Sequence, residues 1–197
     1  MNEEAATLRV VIADKQMVAQ DICLFDLCPA NGIPLTPFTA GAHLGVRVPN
    51  GEMRKYSLCS DPDETDHYVI AVKKEHGGRG GSISLIEETE IGDEIEITSP
   101  RNDFALAPGP SSYIFIAGGI GITPIRAMIK HLMATRAKPF KLYYFTRSPE
   151  MMAFRDEFLG SEFRGKVVIH HDGGDPEQAY DLWPVLAEPK VAHLYCC

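Results

Sequence analysis

The sequence has few cysteines, no long apolar run and no excess of basic residues, and each shortage removes a class of protein. Its five cysteines, Cys23, Cys28, Cys59, Cys196 and Cys197, are odd in number and scattered, whereas disulfide scaffolds are cysteine-dense. The longest nearly apolar stretch, residues 113–125, falls well below the roughly 18 residues of a membrane-spanning helix. The amino-terminal MNEEAATLRV has neither the basic flank nor the apolar core of a secretory signal. The expectation is a cytoplasmic protein without a membrane partner. Nineteen Lys plus Arg against 27 Asp plus Glu give a net charge of −8, which lacks the positive field that dominates nucleic-acid affinity. There is no internal repeat.

What is present is ordinary for a folded chain: 45% hydrophobic and 23% charged residues, which argues against disorder and coiled coil. At a soft prior of about 150 residues per domain, 197 residues make one large domain or two small ones. No metal site is expected. Cys23 and Cys28 have the C-x4-C spacing that opens a plant-type iron-sulfur motif, but no C-x2-C follows, and the alternation of DICLFDLC reads as a strand. His170 and His171 are adjacent on a strand and so point to opposite faces.

Up to about residue 106 the pattern is of short alternating segments: LRVVIADKQM, VAQDICLFDL, HLGVRV, EMRKYSL, HYVIAVK and DEIEIT. Turn residues separate them, which is the antiparallel strand signal, and closure into a small barrel removes exposed edges. A short helix is expected over residues 82–88, with Ser82 as its cap. The APGPSS cluster, residues 107–112, reads as a domain boundary between 1–107 and 112–197. Beyond it strands and helices alternate: YIFIAG, ITPIRAMIKHLMATR, FKLYYFT, PEMMAFRDEFLGS, KVVIHHD, a weaker helix near DLWPVLA, and VAHLYCC. That order implies a parallel sheet of a nucleotide-binding type. Trp183 is read as packing at the start of the weak helix.

Three motifs bear on chemistry. GGIGITPI, residues 118–125, follows an apolar strand and opens a helix, so its glycines bring backbone N–H groups near a pyrophosphate, or else make only a tight connection. In RKYSL, residues 54–58, alternation places Arg54, Tyr56 and Leu58 on one face, either toward one ligand or as a solvated Arg beside a half-buried Tyr. HGGRGGS, residues 76–82, combines four glycines with Arg79 and Ser82, the makings of an anion nest or of a plain surface loop.

The succession RKYSL, AVKKEHGGRGGS, SPRNDFAL, IFIAGGIGITPI, YYFTRSPE with AFRDEF, and HLYCC resembles the phthalate dioxygenase reductase and vanillate O-demethylase reductase family, within the ferredoxin-NADP reductase superfamily. The resemblance spans essentially the whole chain. It implies an antiparallel Greek-key flavin-binding β barrel followed by a parallel-sheet α/β nucleotide-binding domain. It implies FMN, with FAD as the alternative, and NADH, with NADPH as the alternative.

By the family pattern Arg54, Tyr56, Ser57 and Leu58 contact the flavin, Ala71, Val72 and Lys73 flank it, and Gly78, Arg79, Gly80, Gly81 and Ser82 hold its phosphate. Gly118, Gly119, Gly121 and Pro124 shape the nicotinamide site, Thr123 approaches the ring, and Arg147 and Ser148 lie near the adenosine ribose. Tyr56, Ser57, Thr123 and Cys197 are the residues nearest the reaction. Cys197 corresponds to the cysteine of a Cys-Gly-Pro motif, and the Gly-Pro, a last helix and a ferredoxin domain are not in this sequence. The 2Fe-2S cluster is therefore expected on a missing domain or a partner.

The function implied is the reductase component of a Rieske-type aromatic oxygenase or demethylase, with an iron-sulfur acceptor and a terminal oxygenase as partners and a monomeric reductase. A free-flavin reductase, or a flavin-binding module without turnover, is the alternative. The pair Arg147 and Glu150 leaves the choice between NADH and NADPH chemically ambiguous, and the resemblance favours NADH.

Overall fold

Alternation along the first half sends one set of side chains inward and leaves the other for solvent or for a second layer. The computed structural model describes residues 7–136, 138–187 and 191–197, so the MNEEAA part of the signal reading lies outside the described residues. Strands β1 (Thr7–Ala19), β2 (Ile22–Pro29), β3 (His43–Arg47), β4 (Met53–Ser57), β5 (Tyr68–Lys73) and β6 (Glu94–Thr98) form an antiparallel sheet of order β4-β3-β6-β1-β2-β5. The Leu58↔Ile70 bridge and the Cys59 N–H donating to the Val69 carbonyl at 2.9 Å join the two ends and close the barrel. Val10, Ile12, Phe25, Leu27, Leu44, Val46, Ile70, Val72 and Ile97 fill it, each fully buried.

β5 is buried on both faces, and that explains why HYVIAVK is apolar nearly throughout. Tyr68, Ile70 and Val72 point into the barrel, while Val69 and Ala71 pack outward into the second unit together with Ile22 and Cys59. Helix α1 (Gly81–Glu87) covers one barrel end. Lys15 reaches its C-terminal carbonyls, donating to Ile86 O at 2.7 Å and to Thr89 O, where a cation is favoured by the helix dipole.

The second half builds a parallel sheet of order β10-β7-β8-β9 from β7 (Ser112–Gly118), β8 (Phe140–Thr146), β9 (Val167–His171) and β10 (Ala192–Cys196). Helix α2 (Ile122–Thr135) buries Ile122, Ile125, Met128, Ile129 and Leu132, the three-to-four spacing of an amphipathic helix. The connection into β7 is anchored by tyrosines. Tyr195 Oη accepts from Ala107 N at 2.6 Å and donates to Ala105 O at 3.1 Å, and Tyr113 Oη donates to Ala107 O at 3.0 Å.

Three local expectations are corrected. Ser82 is not a helix cap: the N-cap position is Gly80, at φ 79 and without a side-chain cap, and Ser82 Oγ instead accepts the Glu75 N–H at 2.9 Å. The segment PEMMAFRDEFLGS is not one helix but a 3-10 turn at Pro149–Met151, a short α3 (Arg155–Phe158) and a second 3-10 turn at Ser161–Phe163. Phe154 in the left-handed region at φ 58 breaks the helical run that periodicity suggested. Trp183 begins a four-residue α4 (Trp183–Leu186) but stands 74% exposed and belongs to neither core of the described residues.

Gly41 has φ +96, and a Cβ there would lie 2.1 Å from the Phe104 carbonyl oxygen. Gly41→Ala is expected to cost on the order of 2 kcal/mol or more, measured as a lower urea midpoint at unchanged slope.

Candidate functional site

The two units share an apolar core on one side of their contact and part on the other, leaving a cleft of about 350 Å³. From the barrel, Lys55, Tyr56 and Ser57 of β4 and Ala71, Lys73 and Glu75 around the end of β5 line it. From the sheet unit come Ile120, Gly121, Thr123, Pro124 and Cys197. Larger recesses of about 450 Å³ lie elsewhere. The one between Arg9 and Arg47 has its cations paired, Arg9 with Glu94 at 3.3 Å and Arg47 with Glu96 at 3.4 Å.

The barrel wall offers an aromatic ring and a cation. Tyr56 packs against the barrel core at its rim, and burial, partly offset by Arg54, raises its hydroxyl pKa above the ordinary tyrosine value. Lys73 pairs with Glu75 at 3.6 Å while remaining partly exposed. Leu58 and Val72, both fully buried, point into the barrel, so of these two expected residues only the backbone lies near the cleft.

The opposite wall is the glycine turn. Gly118 to Gly121 run from β7 through one 3-10 turn into α2, with Gly119 at φ +51. A Cβ on Gly121 would lie 2.4 Å from the Cys197 carbonyl, so only glycine admits the close approach of β10 to this turn. Cys197 is fixed by its backbone, donating to Ile116 O at 3.0 Å and accepting from Gly118 N at 2.7 Å, and although the residue is exposed, partial desolvation and the neighbouring Cys196 push its thiol pKa up. Thr123, 5% exposed, donates its hydroxyl to Ile120 O at 2.9 Å, and Pro124 sits in the first turn of α2.

Beside the cleft lies the loop Gly78, Arg79, Gly80, Gly81 and Ser82. Asn50 ties it to the β3–β4 turn, its Nδ2 donating to Arg79 O at 3.3 Å. Arg54 Nη1 donates to Glu52 at 2.9 Å and to Met53 O at 3.1 Å, but Nη2 is buried with no hydrogen-bond partner among the described residues. A Cβ at Gly81 would lie 2.8 Å from Arg54 Nε, so glycine leaves the guanidinium its place. A buried guanidinium N–H without an acceptor beside a glycine loop fits an oxyanion, and the residues present fit a flavin phosphate.

Arg147 and Ser148 follow β8 at the same edge as the glycine turn but do not line the cleft. Arg147 O accepts from Gly173 N at 2.9 Å, and its side chain runs beside Gly174. Ser148 donates to Glu150, which holds that carboxylate below its ordinary pKa. The adjacent histidines engage different partners: His171 Nδ1 lies 2.7 Å from Thr146 Oγ1 and His170 Nε2 lies 2.6 Å from Gln178 O. Lys55, Glu75 and Ile120 were not expected in the cleft. They sit inside the expected motifs or next to them, and only proximity to those motifs could have found them.

Replacing Arg54 with Met is expected to weaken flavin binding by about ten- to hundredfold, the worth of one or two charge-assisted hydrogen bonds. A fluorescence titration of the flavin-free protein checks it.

Two family models match in tandem, the oxidoreductase FAD-binding domain over residues 9–106 and the oxidoreductase NAD-binding domain over residues 115–172. The phthalate 4,5-dioxygenase oxygenase reductase subunit of Pseudomonas putida is 54% identical over 93% of this chain and 57% of its own. The vanillate O-demethylase oxidoreductase of the same organism is 43% identical over 95% of this chain and 58% of its own. A solved structure of phthalate dioxygenase reductase, described as modular for electron transfer from pyridine nucleotides to 2Fe-2S, superposes with a TM-score of 0.95 at 51% identity, over 98% of this chain and 60% of that one. The chain thus spans about three fifths of the length of these relatives. With both domains in the same order and more than half of its residues shared with one of them, the chain belongs to the phthalate dioxygenase reductase and vanillate O-demethylase reductase family of flavin- and nicotinamide-binding oxidoreductases.

Proposed function

We propose that the chain is the flavin and nicotinamide portion of a cytoplasmic, monomeric reductase that carries electrons from NADH through FMN to a 2Fe-2S centre outside this sequence, in the service of an aromatic oxygenase or demethylase. Residues 1–107 make the flavin unit and 112–197 the nicotinamide unit. The observation that carries the reading is the cleft between β4–β5 and the glycine turn, with the unpartnered donor Arg54 Nη2 beside it. A flavin seated there would supply the redox chemistry, acceptance of a hydride (two electrons and one proton) from a reduced nicotinamide and release of electrons one at a time to an iron-sulfur acceptor.

The chain's own part is alignment and charge. Tyr56 and Ser57 provide the barrel face for the ring and Lys73 a cation for developing negative charge. Gly78, Arg79, Gly80, Gly81 and Ser82 with Arg54 seat one phosphate, and a single compact seat supports FMN over the dinucleotide. Gly118, Gly119, Gly121 and Pro124 leave room for the nicotinamide, and Thr123 and Cys197 bound it. Arg147 and Ser148 lie toward the ribose. The exposed Glu150 carboxylate, its pKa lowered by the Ser148 hydrogen bond, supports NADH, because an acid near the strand end suits a free 2′-hydroxyl and repels a 2′-phosphate.

The test is the visible spectrum of the purified protein during anaerobic addition of NADH. A flavin spectrum that bleaches with NADH at far lower concentration than with NADPH, and a released flavin with the mass of FMN, are the expected results. A protein that retains no flavin after reconstitution overturns the assignment, and flavin lost on dialysis turns it into a free-flavin reductase.

A further inference from the structure

We propose that Arg126 is a positioning residue that sets the gap between the flavin strand and the glycine turn, an inference that rests on the function proposed above. Arg126 lies three residues after Thr123 in α2, so the two share a helix face. Thr123 lines the cleft, and one turn further on the Arg126 side chain, 15% exposed, crosses to the barrel. Its Nη1 donates to the Cys59 carbonyl at 2.6 Å. Its Nε donates to Glu157 Oε2 at 2.8 Å, and its guanidinium carbon stands 4.3 Å from the centre of the Phe154 ring.

The partner on the barrel decides what this fork does. Cys59 is the residue at which the barrel closes, through its N–H to Val69 O at 2.9 Å and the neighbouring Leu58↔Ile70 bridge. It also follows Ser57, the end of the strand that lines the cleft, by two residues. Arg126 therefore holds the exit of the flavin strand to the helix that begins at the glycine turn, by a backbone carbonyl rather than a swinging side chain. The third anchor is braced as well: Phe154 occupies the left-handed region at φ 58, a conformation that a bulky residue holds only where its surroundings impose it. A planar guanidinium serves a carbonyl and a carboxylate in fixed directions while lying flat on a ring face, and a compact ammonium on a flexible stem lacks that pre-organised plane.

Misplacement of reacting groups by about 1 Å is worth up to a hundredfold in rate, so the gap matters even though Arg126 does not line the cleft. The experiment compares Arg126→Met, Arg126→Lys and Glu157→Gln in the flavin-loaded protein. Amide hydrogen exchange without nucleotide is read at residues 57–60 and 119–124, beside flavin content, stopped-flow bleaching at saturating NADH and apparent NADH affinity.

For Arg126→Met the two segments are expected to exchange faster together, and bleaching to slow about ten- to hundredfold at nearly unchanged flavin content and NADH affinity. Arg126→Lys is expected to recover part of the loss. Unchanged bleaching and exchange in a folded, flavin-loaded Arg126→Met, or a lowered melting temperature alone, overturns the proposal. Should Arg126→Met fail to fold, Arg126→Lys and Glu157→Gln keep a donor or an acceptor in place and decide by the same criteria. A parent protein that NADH does not bleach sinks the functional reading, and the coupled exchange of the two segments still judges Arg126 by itself.

Discussion

The double-sided burial of β5 is the constraint on which the rest of the molecule depends. Its inner residues Tyr68, Ile70 and Val72 close the barrel core, and its outer residues Val69 and Ala71 join Ile122, Ile125, Met128 and Phe115 in a core that belongs to both units. Fully buried aliphatic side chains contribute about 1.5–3 kcal/mol each, and close-packed interiors do not deform continuously. A strand shared between two cores therefore holds the barrel and the sheet at one relative position. The cleft is what remains where that shared packing stops.

Two guanidiniums mark the two sides of this seam and differ in how they are satisfied. Arg126 has a carbonyl, a carboxylate and a ring, so its burial is balanced within the protein. Arg54 has Glu52 and a carbonyl on Nη1 and, among the described residues, nothing on Nη2. A buried donor without a partner costs free energy in the protein alone, and an oxyanion bound there would recover it. One arginine thus fits the role of holding the scaffold together, and the other that of waiting for a ligand.

Close backbone approach is the other device. Gly121 lets the Cys197 carbonyl lie against the glycine turn, and Gly81 lets Arg54 lie against the loop. Each brings together segments far apart in the chain, β4 with the start of α1 and β10 with the start of α2. A side chain at Gly121 would displace Cys197 within the sheet-side wall, and one at Gly81 would displace Arg54 beside the barrel-side loop, so each side keeps its shape through missing atoms as much as through the residues present.

The sequence by itself determined the strand and helix order, the antiparallel and then parallel character of the two halves, and the stretches that form the cleft. Period-two and period-3.6 patterns are local and survive without tertiary context, and the motifs RKYSL, GGRGGS and GGIGITPI are contiguous. Tertiary structure alone decided the remainder. Leu58 and Val72 face the barrel interior because alternation says which residues share a face and not which face meets a ligand. Helical spacing in PEMMAFRDEFLGS gave way to the left-handed Phe154, whose ring lies on Arg126. Arg126 itself gave no signal, because its carbonyl partner is a backbone atom 67 residues away. Burial and long-range hydrogen bonds depend on distances between segments, and a one-dimensional pattern does not contain them.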